Sequence, residues 1–457
     1  MKPLSIGYIK QVIAGELLQG SDDMFVQHGA YRLKQVRHTH TILFLKGKII
    51  KWDRLRPYFP IAIVTEYGRQ TNERDEDVTI IKVKDLEESY WKFIKDYRKS
   101  IDIPVIAVTG TSGKTTTKEI IRHLLMADRK IAFTNSTNNS RTVHLANLLS
   151  IDENTEAAVF ETAVGAPGDI LNAAAYIKPT IGIITNIGEH HLNYCKTLKD
   201  YIEAKGEMIR SIQPGGILIL NVDDERTIQL DKNQFTGKVL TFGIHNSCKY
   251  RASNIIYSTD GMHFTLEHNQ MIYRMFVPGL GEHQVYNALA AIVAVHQIGM
   301  SFMEIKDRLK SFETLNRQMQ VCVGPNGSTI IDDSWSITTT SLKAALEVLK
   351  NVGKDKRKIA IIGTITDLGS WGYIIHQRAG EIIAKSEVDC LITIGKHAKI
   401  MGETAGKLNP TIEVHSFNNH ILAYPFLRNM TDQSTVVLVK GDMYSEAVKK
   451  LAMLLRK

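Results

Sequence analysis

Val105-Ile106-Ala107-Val108-Thr109-Gly110-Thr111-Ser112-Gly113-Lys114-Thr115-Thr116-Thr117-Lys118-Glu119-Ile120-Ile121 is the stretch on which the fold turns. Its first five residues are β-branched or small and apolar, the composition of a strand buried on both faces of a parallel sheet. A turn bracketed by Gly110 and Gly113 follows, and the spacing then predicts a helix from Thr115 to Met126. The glycines allow a tight bend that points successive backbone N–H groups at one spot. The helix adds its free amides and the positive end of its dipole, so the turn Gly110-Thr111-Ser112-Gly113-Lys114-Thr115-Thr116 can hold a phosphate. Lys114 can neutralise phosphate charge, and the Thr115 hydroxyl can ligate magnesium. The common phosphate-loop pattern needs a glycine five residues before Gly113, where Val108 stands. The loop is therefore a shortened one. A ligand-free turn of small residues is the plainer alternative, but glycine, lysine and threonine in this order after a strand favour an ATP site.

The chain has 457 residues, enough for about three domains. With 44% hydrophobic and 23% charged residues it is ordinary globular material. The net charge of +8 is spread along the sequence rather than blocked, which argues for a solvated surface and anionic substrates, not nucleic acid. Cys195, Cys248, Cys322 and Cys390 lie far apart without metal-type pairing, as reduced cytosolic thiols do. Lys10 and Glu16 interrupt the N-terminus, no signal peptide is visible, and no apolar run reaches membrane-spanning length. A soluble cytoplasmic protein without membrane insertion is expected.

Strand-like and helix-like runs alternate along the chain, which predicts an α/β fold in three domains. Residues 1–100 form a small basic α/β unit with strand-like Thr41–Leu45 and Ile61–Thr65 and a helix over 86–100 leading into the phosphate loop. Residues 101–315 predict a mostly parallel sheet covered on both faces, with strands at 104–109, 157–161, 180–186 and 216–221 and helices at 197–211 and 284–298. The segment 236–277 reads as an antiparallel addition. From 316 to 457 the alternation restarts as a smaller Rossmann-like domain, with strands near 328–332, 358–362, 390–394 and 434–439 and a terminal helix at 444–456.

Ligands of open parallel sheets collect at the carboxyl ends of strands, so two strand ends matter. Val159-Phe160-Glu161 ends on a carboxylate and runs into Gly165-Ala166-Pro167-Gly168-Asp169. Ile183-Ile184-Thr185-Asn186-Ile187-Gly188-Glu189-His190-His191 ends in a polar, metal-capable cluster. Beside Thr115 and a triphosphate, Glu161 and a histidine would complete a magnesium site. A helical Lys205 between Glu203 and Glu207 is ordinarily a solvated ion pair. Asn287, one helical turn beyond His283, offers an amide that could read an adenine edge.

Taken together these motifs resemble the Mur ligases, ATP-dependent enzymes that build the peptide of peptidoglycan, and most of all the branch that adds D-alanyl-D-alanine to a UDP-muramoyl-tripeptide. The likeness covers roughly residues 101–457. Gly110–Thr116 matches the family's short phosphate loop, Asn138-Asn139 its paired asparagines, Glu161 its metal-binding glutamate, and His191-Leu192 its histidine segment. Lys205 falls on the lysine that the family carries as a carbamate. Gly281, His283 and Asn287 match an adenine-side motif, and Arg317 with Asp332-Asp333 match nucleotide contacts. Ile362-Gly363, Asp367-Leu368-Gly369 and His376 resemble the tripeptide branch in particular.

The resemblance implies a mechanism. ATP phosphorylates a carboxylate, an amino acid or dipeptide amine attacks the acyl phosphate, and the tetrahedral intermediate collapses to an amide. Lys114 would hold the β- and γ-phosphates, Thr115 and Glu161 one magnesium ion, and His191 with carbamylated Lys205 a second. Asn287, Arg317 and Asp332 would fix the nucleotide, and the third domain would close over the centre of a monomer. The chain also departs from the family pattern. Ser334-Trp335-Ser336-Ile337-Thr338-Thr339 replaces a Tyr-Asn-Ala-Asn-Pro run, and Ser140–His144 replaces Asp-Ile-Gly-Val-Pro. Lys440-Gly441-Asp442-Met443 stands where Lys-Gly-Ser-Arg is usual, and residues 1–100 carry no uridine-nucleotide signature. Two alternatives follow: a ligase joining an amine to a different acid in specialised metabolism, or a catalytically silent ATP-binding partner subunit.

Overall fold

A computed structural model describes residues 1–46, 50–67, 75–135, 146–189, 192 and 194–456. The chain builds a five-stranded sheet near its N-terminus, a nine-stranded central sheet and a six-stranded C-terminal sheet, besides one two-stranded ribbon. Val105–Thr109 lies inside the central sheet, and every residue of it is buried. Ala157–Glu161 pairs with it in parallel on one side and Ile181–Ile184 on the other. The chain thus leaves this strand for one flank first and the other later, which makes its carboxyl end a topological switch point.

The predicted strands are present with small changes of boundary. The helix after the phosphate loop spans Lys114–Met126, and Gly113 caps it at φ +81°. The 236–277 segment is not wholly antiparallel. Lys238–Gly243 extends the parallel sheet beside Ile217–Asn221, and only the ladder of Tyr250–Tyr257, Gly261–His268 and Met271–Pro278 is antiparallel. The apolar run Val239–Phe242 suits either direction of pairing, so its composition does not distinguish them. The alanine-rich helix Glu282–Gln297 is apolar around most of its circumference because it is buried between the central sheet and Lys114–Met126.

The helix Leu86–Lys99, capped by Asp85 accepting from the Glu88 amide, presents Tyr90, Phe93, Ile94 and Tyr97 to a core shared with Phe160, Tyr176 and Ile177. Arg98 is buried there and donates to the carbonyls of Ile177 and Lys178 at 2.8 and 2.9 Å, capping the C-terminal end of Asp169–Ile177. Another apolar cluster joins Ile184, Ile187 and Tyr201 of the central region to Ile337, Leu342 and Ile362 of the C-terminal region. The C-terminal sheet is therefore seated on the central one. Among the described residues no helix is long and apolar enough to cross a membrane.

Candidate active site

Three neighbouring strands finish at one level. Glu161 stands opposite Val108, and Ile184 stands opposite Thr109. The expected strand 180–186 stops at Ile184 because the next two residues turn onto the phosphate loop. Thr185 Oγ1 donates to the Ser112 carbonyl at 2.7 Å, while Asn186 Nδ2 donates to that carbonyl and its Oδ1 accepts from the Ser112 amide, each at 3.0 Å. Gly188 donates its amide to Thr111 Oγ1 at 2.8 Å, and the Tyr201 hydroxyl meets the same oxygen. Gly110 at φ +146° and Gly113 at φ +81° are required twice over. A Cβ would run into Thr185 Oγ1 at the first and into Asn287 Oδ1 at the second.

Thr115 Oγ1 donates to Glu161 Oε2 at 2.8 Å, so the two oxygen ligands expected for a magnesium ion are neighbours. Glu161 is only 1% exposed. Its amide donates to Thr134 Oγ1, and the Thr134 carbonyl accepts from the fully buried Lys118 at 2.6 Å. Lys118 and Thr134 thus steady Glu161, although neither stood out in the sequence. Lys114 Nζ reaches back to the Thr111 carbonyl at 3.1 Å, and burial pulls its pKa down against the opposing pull of Glu161.

Lys205 departs from the ordinary reading of a helical lysine. It is 1% exposed and makes no hydrogen bond among the described residues; its ammonium lies 5.3 Å from the Tyr201 ring centroid. Burial first, and the Lys114 cation second, drive its pKa well below that of a free lysine, with Glu161 opposing. The flanking glutamates are not its partners. Glu203 pairs with Lys199, and Glu207 accepts from the amides of Gly168 and Leu171 at 2.6 and 3.3 Å, capping Asp169–Ile177. Asp169 in turn accepts from the amides of Gly165 and Ala166. His191, with Asn138, Asn139 and Ser140–His144, lies outside the described residues.

The C-terminal region closes the front of this site. Thr338, the N-cap of Thr339–Val352, brings its hydroxyl to 3.3 Å from Ser112 Oγ, and Thr116 Oγ1 donates to Gln318 at 3.1 Å. Asn287 turns its Oδ1 to Gly113 rather than to open space. His283 is held neutral, with its pKa pulled to about 4 by burial and by Lys440 across the seam. Arg317 donates to the Ser334 hydroxyl and carbonyl and lies over the Trp335 ring. Asp332 is buried, with Ser334 on one oxygen and Arg456 on the other. These two expected nucleotide contacts are therefore engaged within their own region, by Ser334 and Trp335 of the altered segment and by Arg456. Lys440 pairs with Asp333 and donates to the Ser336 carbonyl. Cys390, Glu413 and His415 gather at the opposite end of the same sheet. There Arg357 and His415 hold the carboxylate, and burial lifts the thiol to about 12.

A glycine-bracketed turn at a switch point, with a carboxylate and a buried lysine of lowered pKa behind it and a second α/β domain seated in front, defines the class of a nucleotide-dependent enzyme. Two family models match the chain, the Mur ligase middle domain over residues 108–295 and the Mur ligase, glutamate ligase domain over residues 317–443. The chain belongs to the Mur ligase family and is an ATP-dependent amide-bond ligase. It is 29% identical over 402 residues to the UDP-N-acetylmuramoyl-tripeptide–D-alanyl-D-alanine ligase of Bacillus subtilis, covering 87% of each chain. Among solved structures it resembles MurF from Acinetobacter baumannii, with a TM-score of 0.84, 22% identity and full coverage of both chains. It also resembles the Thermotoga maritima MurF in complex with ADP, with a TM-score of 0.76, 20% identity and 94% and 97% coverage.

Proposed function

We propose that this chain joins the carboxylate of an anionic acceptor to an amine through an acyl phosphate, with a UDP-muramoyl-tripeptide and D-alanyl-D-alanine as the default pair. One observation carries the reading: Lys205 is buried, makes no hydrogen bond among the described residues, and feels the charges of Glu161 and of Lys114 in the phosphate loop. A buried lysine without a hydrogen-bond partner is rare, and a lowered pKa raises the share of free amine, the form that adds carbon dioxide. Carbamylation would make it an anion, the charge that a second metal ligand needs.

The donor set fits the group that the family implies. The hydroxyl of Thr115 and the carboxylate of Glu161 are hard oxygen ligands 2.8 Å apart, suited to magnesium. His191 and carbamylated Lys205 would hold a second ion. Such ions, when bound, neutralise phosphate charge and draw the acceptor carboxylate toward the γ-phosphate. The protein's own contribution is positioning. Gly110–Thr116 offers amides to the phosphates, and Lys114 adds a cation to the β- and γ-phosphates. Thr338 and Gln318 close the front, which excludes water from an acyl phosphate that would otherwise hydrolyse. We assign residues 1–100 to acceptor recognition, 101–315 to ATP and 316–457 to closure, in a cytoplasmic monomer.

A second reading concerns the amine alone. The Ser334–Thr339 segment spends its polar groups on Arg317, Asp332 and Ser112, which leaves fewer donors for an incoming dipeptide and favours a different amine. Purified enzyme given ATP, UDP-muramoyl-tripeptide and D-alanyl-D-alanine should release phosphate and yield the joined product by mass. Phosphate release only with another amine selects the second reading. No release with any acid and amine leaves a silent ATP-binding subunit.

A further inference from the structure

We propose that Glu189 and Arg378 are positioning residues for the ligation: their ion pair is the contact through which the seated C-terminal domain fixes the turn Thr185–Glu189, and with it the phosphate loop. The inference rests on the ligase reading above and gives a role to two residues that the reading leaves without one.

The turn is a relay in which nearly every residue has a partner on another element. Thr185 and Asn186 bond Ser112, the Ile187 amide donates to Asp224 at 3.2 Å, and the Gly188 amide donates to Thr111. Glu189 closes the run and is 8% exposed. A carboxylate at that depth needs positive charge nearby. The cation of its own domain, Arg226, stands 3.4 Å away and also serves the Ile187 carbonyl. The nearer cation comes from across the seam, where Arg378 Nη1 reaches Glu189 Oε1 at 2.6 Å.

Arg378 stands on a helix that is tied into its own domain. It belongs to the helix Gly372–Ala384, two residues beyond His376. His376 donates from Nδ1 to the Gly372 carbonyl at 2.6 Å and accepts the Ile365 amide on Nε2 at 3.2 Å, which ties that helix to its own sheet. A shift of the C-terminal domain therefore moves Arg378 as part of a body. It leaves Glu189 held only by the longer Arg226 contact. Gly188, next to Glu189, already touches the other domain, since a Cβ there would run into Thr340 Oγ1. Seating of the domain and setting of the loop are one event at this point.

The test uses the full chain with ATP, acceptor and amine, and the variants Arg378→Ala, Arg378→Lys, Glu189→Gln and the double Arg378→Ala/Glu189→Gln. Small-angle scattering with a non-hydrolysable ATP analogue reads closure without turnover. Both single variants should lower kcat by about 10- to 100-fold, the scale of a small misplacement of reacting groups. The ATP dissociation constant should rise by a smaller factor than kcat falls, because Thr185 and Asn186 still bond Ser112 of the phosphate loop when the ion pair is lost. The double variant should be no worse than the poorer single one, Arg378→Lys should recover part of the loss, and Arg378→Ala should show a larger radius of gyration with the analogue. Since Glu189→Gln alters a buried group and could unfold, Arg378→Ala, at the half-exposed end of the pair, decides. Turnover of Arg378→Ala within about threefold of wild type, or an unchanged radius, overturns the proposal. If wild-type enzyme forms no product with any pair, the ligase reading falls, and the scattering still judges the contact by itself.

Discussion

Replacing Lys205 by methionine should stabilise the protein while abolishing its activity. The side chain is 1% exposed, has no hydrogen bond among the described residues, and sits beside the like charge of Lys114. Methionine keeps the length and removes a polar group whose unpaired burial costs about 1–3 kcal/mol. At roughly 2–4 °C per kcal/mol for a domain of this size, the thermal midpoint of the central domain should rise by several degrees. Amide formation should fall by about 10²–10³-fold, the usual loss on deleting one preorganised charge at a reacting centre. Differential scanning fluorimetry and an ADP-release assay on the same preparation read the two effects. Wild-type activity should also drop after dialysis against buffer freed of carbon dioxide and return with bicarbonate. A Lys205→Met enzyme that keeps activity within about threefold of wild type, or that melts earlier, would refute the argument from burial.

Gly113→Ala should raise the ATP dissociation constant by about tenfold or more, because about 1–2 kcal/mol of left-handed strain and a clash with Asn287 Oδ1 fall on the loop itself; titration with a fluorescent ATP analogue checks it. Glu161→Gln should raise the magnesium concentration needed for half-maximal activity far more than the KM for the amine, since its carboxylate bonds the Thr115 hydroxyl of the expected magnesium pair. His283 makes stability depend on pH. Its pKa is about 4 in the folded chain against 6.5 unfolded, so the unfolded state alone binds a proton between these values. Its stability contribution, about 3 kcal/mol at most, is whole above pH 6.5, drains as pH falls and levels off below pH 4, and His283→Asn should flatten the urea midpoint across that window. Arg98→Ala strips the carbonyls of Ile177, Lys178 and Ile101 of their donor and should cost about 2–4 kcal/mol in urea denaturation, with the specific activity of the folded enzyme preserved.

Much of the architecture was legible along the chain because its signals are local. Val105–Thr109 is β-branched or small throughout since both its faces are covered, and the Gly110–Thr116 turn carries its phosphate chemistry in its own backbone. Glu161 could be placed by the rule that strand ends carry ligands. The direction of Lys238–Gly243 could not be read, because an apolar run of that length has the same composition in parallel and antiparallel pairing. Nor could the supports of the site be found. Thr134, Lys118 and Tyr201 act on Glu161 and Thr111 from segments far along the sequence, and a helix-face lysine such as Lys118 gives no hint that it is buried. The contacts of Asp332 with Arg456 and of Arg317 with Ser334 were likewise beyond the reach of local sequence.

By itself the sequence determined the α/β alternation, the shortened phosphate loop and the family, all of which follow from residue types at fixed short spacings. Only the tertiary structure decided what Lys205 and Glu189 are. The first is a buried amine whose surroundings disfavour its charge, the second a buried carboxylate gripped from across a domain seam. Both facts arise from desolvation and from partners brought close by folding, and the energy of a charge depends on its surroundings rather than on its neighbours in the chain.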